Sequence, residues 1–257
     1  MAKVALVIGG TGGLGAVCAK DLAKDHQVIV AGRNKQKGDQ IVQAIKAAEG
    51  EATFLQIDLC STDSIIQLHS EAVKVYGRLD VAVNGAGITG DFKLLIQYTA
   101  EEATHLLTTN VTGVITSMQE QIKLMQSNPG GSGGRIVNFS SINGLHGQKY
   151  GSVYSTTKHA LIGLTRSAAL EYSNPEDNIL INAVAPGVIS TEMTYALVHP
   201  EVLPEGDLKE FVKGVRGEYA QRRFGEVEDV ARGVRYLVES PWVTGTVLEI
   251  DGGYGAK

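Results

Sequence analysis

The sequence predicts an α/β fold in which one doubly wound parallel sheet carries helices on both faces. Three observations predict it. Short apolar runs alternate with amphipathic stretches from the first residues onward. Those runs are almost continuously apolar, as strands buried on both faces require. A glycine-rich turn joins the first run to the first helical stretch. With 257 residues, 43% hydrophobic and 20% charged, the chain fits a single domain, residues 1–257, with a sizeable core.

The strand-like runs fall at Val4 to Ile8, Gln27 to Ala31, Thr53 to Ile57, Val81 to Asn84, Arg135 to Ser140, Ile179 to Ala185 and Val247 to Ile250. Helical patterning fills Leu14 to Lys24, Lys37 to Ala48 and Ser64 to Tyr76 between the first four. A further long helix opens at the capping-box pattern Thr99-Ala100-Glu101-Glu102 and is expected to run past Met125. The poor helix formers Asn110-Val111-Thr112-Gly113 should weaken its ladder. Pro129 to Gly134 reads as a flexible surface loop. Residues 188–224, with Pro200, Pro204, Gly206, Gly214 and Gly217, read as a mobile lid. Tyr195, His199 and Tyr219 within it are read as lid packing in preference to substrate contacts.

In the first turn, Gly9, Thr11, Gly12, Gly13, Leu14 and Gly15 stand between a strand and a helix. Missing Cβ atoms permit the tight turn and let backbone N–H groups and the helix N-terminus approach a pyrophosphate, the Rossmann-type arrangement. The end of the second strand then meets the adenosine ribose. An NAD site keeps a carboxylate there, whereas this chain has Gly32, Arg33 and Asn34, with Lys35 and Lys37 following. The Arg33 fork suits a 2′-phosphate, so the expected cofactor is NADP(H). Asp58 and Leu59 end the third strand, where Asp58 could accept from an adenine amino group or cap the next helix. Asn84-Gly85-Ala86-Gly87 closes the fourth strand with small residues that admit the cofactor to the backbone.

Tyr154 and Lys158 are four residues apart in a helical pattern, one turn apart on one face. A cation beside a phenol favours the phenolate and should lower its pKa toward the range of general acid–base catalysis. Ser141, just past the fifth strand, could hold a carbonyl or alcohol oxygen against Tyr154.

The formal net charge of −5 gives no reason to expect nucleic acid or an anionic membrane as partner. Cys18 and Cys60 lack metal-ligand spacing, so no metal and no disulfide framework are expected, and a reducing cytoplasmic setting follows. The apolar run before Gly9 is too short for a secretory signal or membrane span.

Taken jointly, Gly9-x-x-x-Gly13-x-Gly15, Asn84-x-Ala86-Gly87, Asn110, Ser141, Tyr154-x-x-x-Lys158 and Pro186-Gly187 resemble the short-chain dehydrogenase/reductase family over nearly the whole chain. The resemblance implies that Tyr154 is the acid for ketone reduction and the base for alcohol oxidation, with Ser141 orienting the substrate oxygen. It implies that Lys158 holds the nicotinamide ribose and lowers the Tyr154 pKa, and that Asn110 supports a water linking Lys158 to solvent. Ile189 and Thr191 would hold the nicotinamide carboxamide, and the assembly would be a homotetramer. The chain departs from the family at Ile8, where Thr is usual, at Gly85, where a second Asn is common, and before Gly13, where NADP-preferring relatives often carry a basic residue. The NADP assignment therefore rests mainly on Arg33.

The expected function is NADPH-dependent carbonyl reduction. A 3-oxoacyl-[acyl-carrier-protein] reductase is the alternative, disfavoured because Ser173-Asn174-Pro175-Glu176-Asp177 is acidic where a carrier-protein dock should be basic. A non-catalytic NADP-binding regulator is a third reading, opposed by the complete set Asn110, Ser141, Tyr154 and Lys158.

Overall fold

A computed structural model describes residues 2–195, 199–203 and 205–256. Seven parallel strands form one sheet: β1 (Lys3–Ile8), β2 (His26–Gly32), β3 (Ala52–Gln56), β4 (Val81–Asn84), β5 (Gly134–Phe139), β6 (Ile179–Pro186) and β7 (Val247–Ile250). Their order is β3-β2-β1-β4-β5-β6-β7. The winding reverses between β1 and β4, which pair from Ala5 with Val81 to Ile8 with Asn84. At such a switch point the chain leaves neighbouring strands in opposite directions and opens a crevice at their carboxyl ends. Among the described residues no helix is long and apolar enough to cross a membrane.

The two faces of the sheet build separate cores from alternate residues. Val4, Leu6 and Ile8 of β1 join the layer of α3 (Thr62–Tyr76), α5 (Gly113–Gln126) and α6 (Ser152–Tyr172). Ala5 and Val7 join the opposite layer of α1 (Gly13–Leu22), α2 (Lys35–Ala47) and α8 (Val227–Glu239). Each buried Leu or Ile contributes about 1.5–3 kcal/mol relative to exposure. This double burial is why the strands read as continuous apolar runs.

The long helix after Thr99 is interrupted. Thr99 and Glu102 do form the reciprocal capping box, each side chain bonding the other's backbone N–H. The helix α4 (Ala100–Leu107) then widens into one π turn, Thr108–Thr112, before α5 resumes. The extra residue turns Asn110 inward, where it is fully buried. At Gly113 an added Cβ would lie 2.5 Å from the Leu59 carbonyl oxygen, so only glycine lets α5 start against the loop after β3.

His69 of α3 is also buried, with Nδ1 2.7 Å from the Ile65 carbonyl oxygen and no partner on Nε2. Burial holds its pKa below the usual value of about 6.5, against the smaller opposing effects of that carbonyl and of Glu120. The unfolded chain therefore protonates first on acidification. Stability from this site is complete above about pH 6.5 and is lost as pH falls toward the folded-state pKa. The melting temperature should accordingly fall more steeply between pH 7 and pH 5 in the wild type than in His69→Leu.

The 188–224 segment contains structure that its prolines and glycines conceal. A helix, α7 (Asp207–Val215), buries Val212 and Val215 in a third cluster with Ile142, Val188, Tyr219 and Phe224. Val188 and Ser190 exchange backbone hydrogen bonds with Gly225 at 3.0 and 3.1 Å, which fastens the root of the segment to its end. Tyr219 is 2% exposed, and its hydroxyl accepts from the Val188 N–H at 2.8 Å. Tyr195 instead stacks on His199, with ring centroids 4.5 Å apart. Tyr219→Phe leaves the Val188 N–H without its acceptor, a loss of about 1–3 kcal/mol, so thermal melts should show Tm lowered by roughly 2–10 °C.

Candidate active site

A single cleft of about 600 Å³ runs across the carboxyl ends of β1 to β6, from Arg33 at one end to Ser141 and Tyr154 at the other. Its floor is the glycine turn. Gly9 takes φ 87°, and a Cβ there would lie 2.6 Å from Ala86 N, so this glycine lets the β1 and β4 loops touch. Gly12 is the N-cap of α1 in extended conformation, with no side-chain cap on the first-turn N–H groups. A Cβ on Gly12 would have only the Gly9 carbonyl oxygen within reach, at 4.0 Å, so the space above the helix N-terminus is open. Uncapped donors, a positive helix end and open room fit a pyrophosphate. Gly85, the departure from the family pattern, also lines the cleft and has ordinary room beside Ile8 and Phe139.

At the Arg33 end, a steric contact accompanies the missing carboxylate. A Cβ on Gly32 would lie 2.5 Å from Thr11 Oγ1 and 3.1 Å from Thr11 Cβ. Thr11 therefore occupies the volume that an acidic side chain would need. Arg33 lines the cleft, whereas Asn34 faces the other way and caps α2, its Oδ1 accepting from Lys37 N at 2.9 Å. Asp58 lines the cleft and accepts from Cys60 N at 2.9 Å, while the cap of α3 is Ser61. Cys60 sits beside Thr109, with Sγ and Oγ1 3.3 Å apart.

At the other end, Tyr154 and Lys158 project from α6 toward β5. Lys158 Nζ donates to the Phe139 carbonyl oxygen at 2.7 Å and lies 5.6 Å from the centre of the Tyr154 ring. The Ser140 hydroxyl donates to the Lys158 carbonyl at 2.9 Å, so β5 holds this turn of α6 at two points. Ser141 accepts from Asn143 N at 3.2 Å, which orients its hydroxyl at the head of the following turn. Burial pushes the Tyr154 phenol up to about 12, opposed only by a hydrogen bond from Ser141. Burial lowers Lys158 to about 8. The expected depression of the Tyr154 pKa by Lys158 is therefore not what this arrangement produces, because the ammonium is directed at Phe139 and both groups are desolvated.

Asn110 does not reach the cleft surface. Its Oδ1 accepts from Ile88 N at 2.9 Å, and its Nδ2 donates to Ile88 O at 2.8 Å and Thr157 Oγ1 at 3.1 Å. It clamps the β4 loop against α6 beside Lys158. A Cβ on Gly87 would lie 3.2 Å from Asn110 Oδ1 and 3.6 Å from Lys158 Nζ, so the loop passes close to both side chains.

The family model described as short chain dehydrogenase matches residues 3–201. The chain belongs to the short-chain dehydrogenase family. It is 38% identical to carbonyl reductase family member 4 of Xenopus laevis over 254 residues, covering 98% of each chain. It is 32% identical to a 3beta-hydroxysteroid dehydrogenase of Mediterraneibacter gnavus (98% of this chain, 94% of the relative). It is 34% identical to the 3-oxoacyl-[acyl-carrier-protein] reductase FabG of Thermotoga maritima (98% and 97%). Among solved structures, ElxO with NADP bound superimposes with a TM-score of 0.87 at 34% identity, over all of both chains.

In this short-chain dehydrogenase most of the anticipated residues do line one cleft: Gly9, Thr11 to Gly15, Arg33, Asp58, Leu59, Gly85 to Gly87, Ser141, Tyr154, Lys158, Pro186, Gly187, Ile189 and Thr191. Three amides do not. Asn34 caps a helix, Asn110 is the buried clamp, and Asn84 lies in a buried polar chain. In that chain Asn84 Nδ2 donates to Asn138 Oδ1 at 2.9 Å, Asn84 and Gln121 exchange amide hydrogen bonds, and Asn138 donates to Thr165 at 2.9 Å. Phe139, Ser140, Thr89, Thr109, Cys60 and the turn from Glu192 to Thr194 also line the cleft and were not anticipated. For Phe139 and Ser140, adjacency to Ser141 was the available signal. The Cys60–Thr109 contact is tertiary and has no local signature.

Proposed function

We propose that this chain reduces the carbonyl of a ketone with NADPH and oxidises the corresponding secondary alcohol in reverse. The observation that carries the reading is that one cleft joins an uncapped glycine turn, a cationic adenosine end at Arg33 and the Ser141–Tyr154 pair. The N–H groups of α1's first turn hold the pyrophosphate, Arg33 meets the 2′-phosphate, and Gly187, Ile189 and Thr191 flank the carboxamide. A bound nicotinamide dinucleotide supplies the hydride. Ser141 orients the substrate oxygen, and Tyr154 gives its proton to the alkoxide that develops there. A phenol pushed up to about 12 keeps its proton at neutral pH and is still a stronger acid than an alcohol, which suits it to reduction. In the same reading Lys158, displaced from Phe139, binds the ribose and brings its charge to the phenol, and Asn110 holds the loop that lets it do so.

The neighbour ElxO, whose structure carries NADP, supports the cofactor. The names of the relatives support a carbonyl or hydroxyl substrate. The protein should be incubated with NADPH and an aliphatic ketone, a 3-keto steroid or a 3-oxoacyl thioester on acyl-carrier protein, and followed at the nicotinamide absorbance. NADPH oxidation with a free ketone supports the reading. Oxidation only with the carrier-bound thioester replaces it with the acyl reductase, and binding without oxidation in every case replaces it with a regulator.

A cytoplasmic homotetramer belongs to the same proposal. Leu170 on α6 and Trp242 before β7 are 89% and 97% exposed, apolar surface on the elements through which the subunits would pack. Sedimentation showing only monomer at micromolar concentration removes this part.

A further inference from the structure

We propose that Lys37 is a second cation for the 2′-phosphate and that Glu192 competes with the phosphate for it. This inference rests on the reading of Arg33 as a phosphate contact and adds a residue pair to it.

The two lysines after Arg33 are in different situations. Lys35 pairs along α2 with Asp39, Nζ to Oδ2 at 2.7 Å, within its own helix. Lys37 leaves the helix. Its backbone is fixed by the Asn34 cap, and its Nζ meets Glu192 Oε2 at 3.0 Å, across 155 residues of sequence. Glu192 lines the same cleft as Arg33 and opens a 3₁₀ turn, Glu192–Thr194, directly after Thr191. Thr191 itself rests on the glycine turn, since a Cβ on Gly13 would lie 2.9 Å from Thr191 Cγ2. The ion pair therefore ties the first turn of α2, four residues after Arg33, to the cleft-lining turn at the start of the 188–224 segment.

Both partners are open to water, with side-chain exposures of 51% for Lys37 and 89% for Glu192. An exposed pair of this kind is weak. A 2′-phosphate beside Arg33 offers more charge and more acceptor oxygens than one carboxylate, so it takes Lys37 from Glu192. A cofactor with a bare 2′-hydroxyl leaves the pair in place. Competition is reciprocal, so removing the carboxylate must strengthen phosphate binding by as much as the pair opposed it. Glu192 thus moderates the preference that Arg33 and Lys37 create.

The test is calorimetric binding of adenosine 2′,5′-bisphosphate and of adenosine 5′-monophosphate to the full chain, at fixed ionic strength. Glu192→Gln should tighten the bisphosphate about 2- to 5-fold and leave the monophosphate unchanged. Lys37→Ala should weaken the bisphosphate roughly 10-fold, again without effect on the monophosphate. In the Lys37→Ala background, Glu192→Gln should add nothing, because the carboxylate then has no lysine to withhold. Weaker bisphosphate binding in Glu192→Gln, or unchanged binding in Lys37→Ala, overturns the inference. Failure of the underlying reading looks different: the wild type then binds both nucleotides alike and Arg33→Ala changes neither.

Discussion

Replacing Tyr154 by Phe is expected to lower kcat for ketone reduction at least about 10²-fold, with the dissociation constant for NADPH within about 2-fold of wild type. General acid catalysis by a positioned side chain is typically worth about 10²–10⁴. Phe keeps the ring between Ser141 and Lys158 and removes only the proton donor, so the site's shape and the glycine turn are untouched. Lys158→Ala should damage both quantities, since it removes a buried ammonium and leaves the Phe139 carbonyl without its donor. The pH profile separates the two groups. A phenol near 12 stays protonated through neutral and mildly alkaline pH, whereas Lys158, lowered to about 8 by burial, loses its charge as pH rises through that value. Reduction should therefore decline above about pH 8 through Lys158 and not through Tyr154. A Phe variant with near wild-type turnover would remove Tyr154 from the chemistry.

Arg33→Ala is expected to lower the preference for NADPH over NADH by about 10- to 150-fold in kcat/KM, leaving only the share that Lys37 supplies, and to leave NADH activity nearly unchanged. A charge-assisted contact to phosphate contributes about 1.5–3 kcal/mol, and NADH has no phosphate for the guanidinium to meet. Reversing the preference takes more than an acid at position 32. An Asp there would drive its Cβ into Thr11, whose own Cβ is 3.1 Å away and cannot leave by rotation. The double variant Gly32→Asp with Arg33→Ala should therefore bind NADH poorly and melt early. Adding Thr11→Gly should recover NADH activity, because the carboxylate then has room to accept from ribose hydroxyls. The ratio of kcat/KM for the two cofactors checks each step. Equal loss with both cofactors in Arg33→Ala would disprove the assignment.

The parts of this molecule that were legible in the sequence are those written in local pattern. Apolar runs placed all seven strands to within a residue or two, because the inner strands are buried on both faces and the edge strands β3 and β7 still turn apolar residues to the helices. The glycine turn and the four-residue spacing of Tyr154 and Lys158 are geometric consequences of strand, turn and helix. The places of the amide residues were not legible, because Asn looks the same whether it caps a helix, cross-links strands or faces a ligand. Asn34 does the first, Asn84 the second, and Asn110 clamps a loop against a helix. The helix α7 was hidden among prolines and glycines, and its buried face packs into a cluster with Ile142, Val188, Tyr219 and Phe224 that local pattern does not show. Gly32 was read as an absence, yet it is half of a steric pair whose other member, Thr11, is 21 positions earlier.

The π turn at Thr108–Thr112 also has a meaning in the language of insertions and deletions. One π turn is an α-helix with a single surplus residue, and the surplus rotates everything on one side of it by about 100° relative to a regular helix. Loss of one codon within this stretch would leave a continuous, better bonded helix whose α4 half, packed as it is, presents the wrong face. Asn110 would leave Ile88 and Thr157, and Thr109 would leave Cys60. An in-frame deletion that improves local helicity would thus unfasten the loop beside Lys158. Along this helix the side chains meet their partners only when the chain length is kept to the single residue.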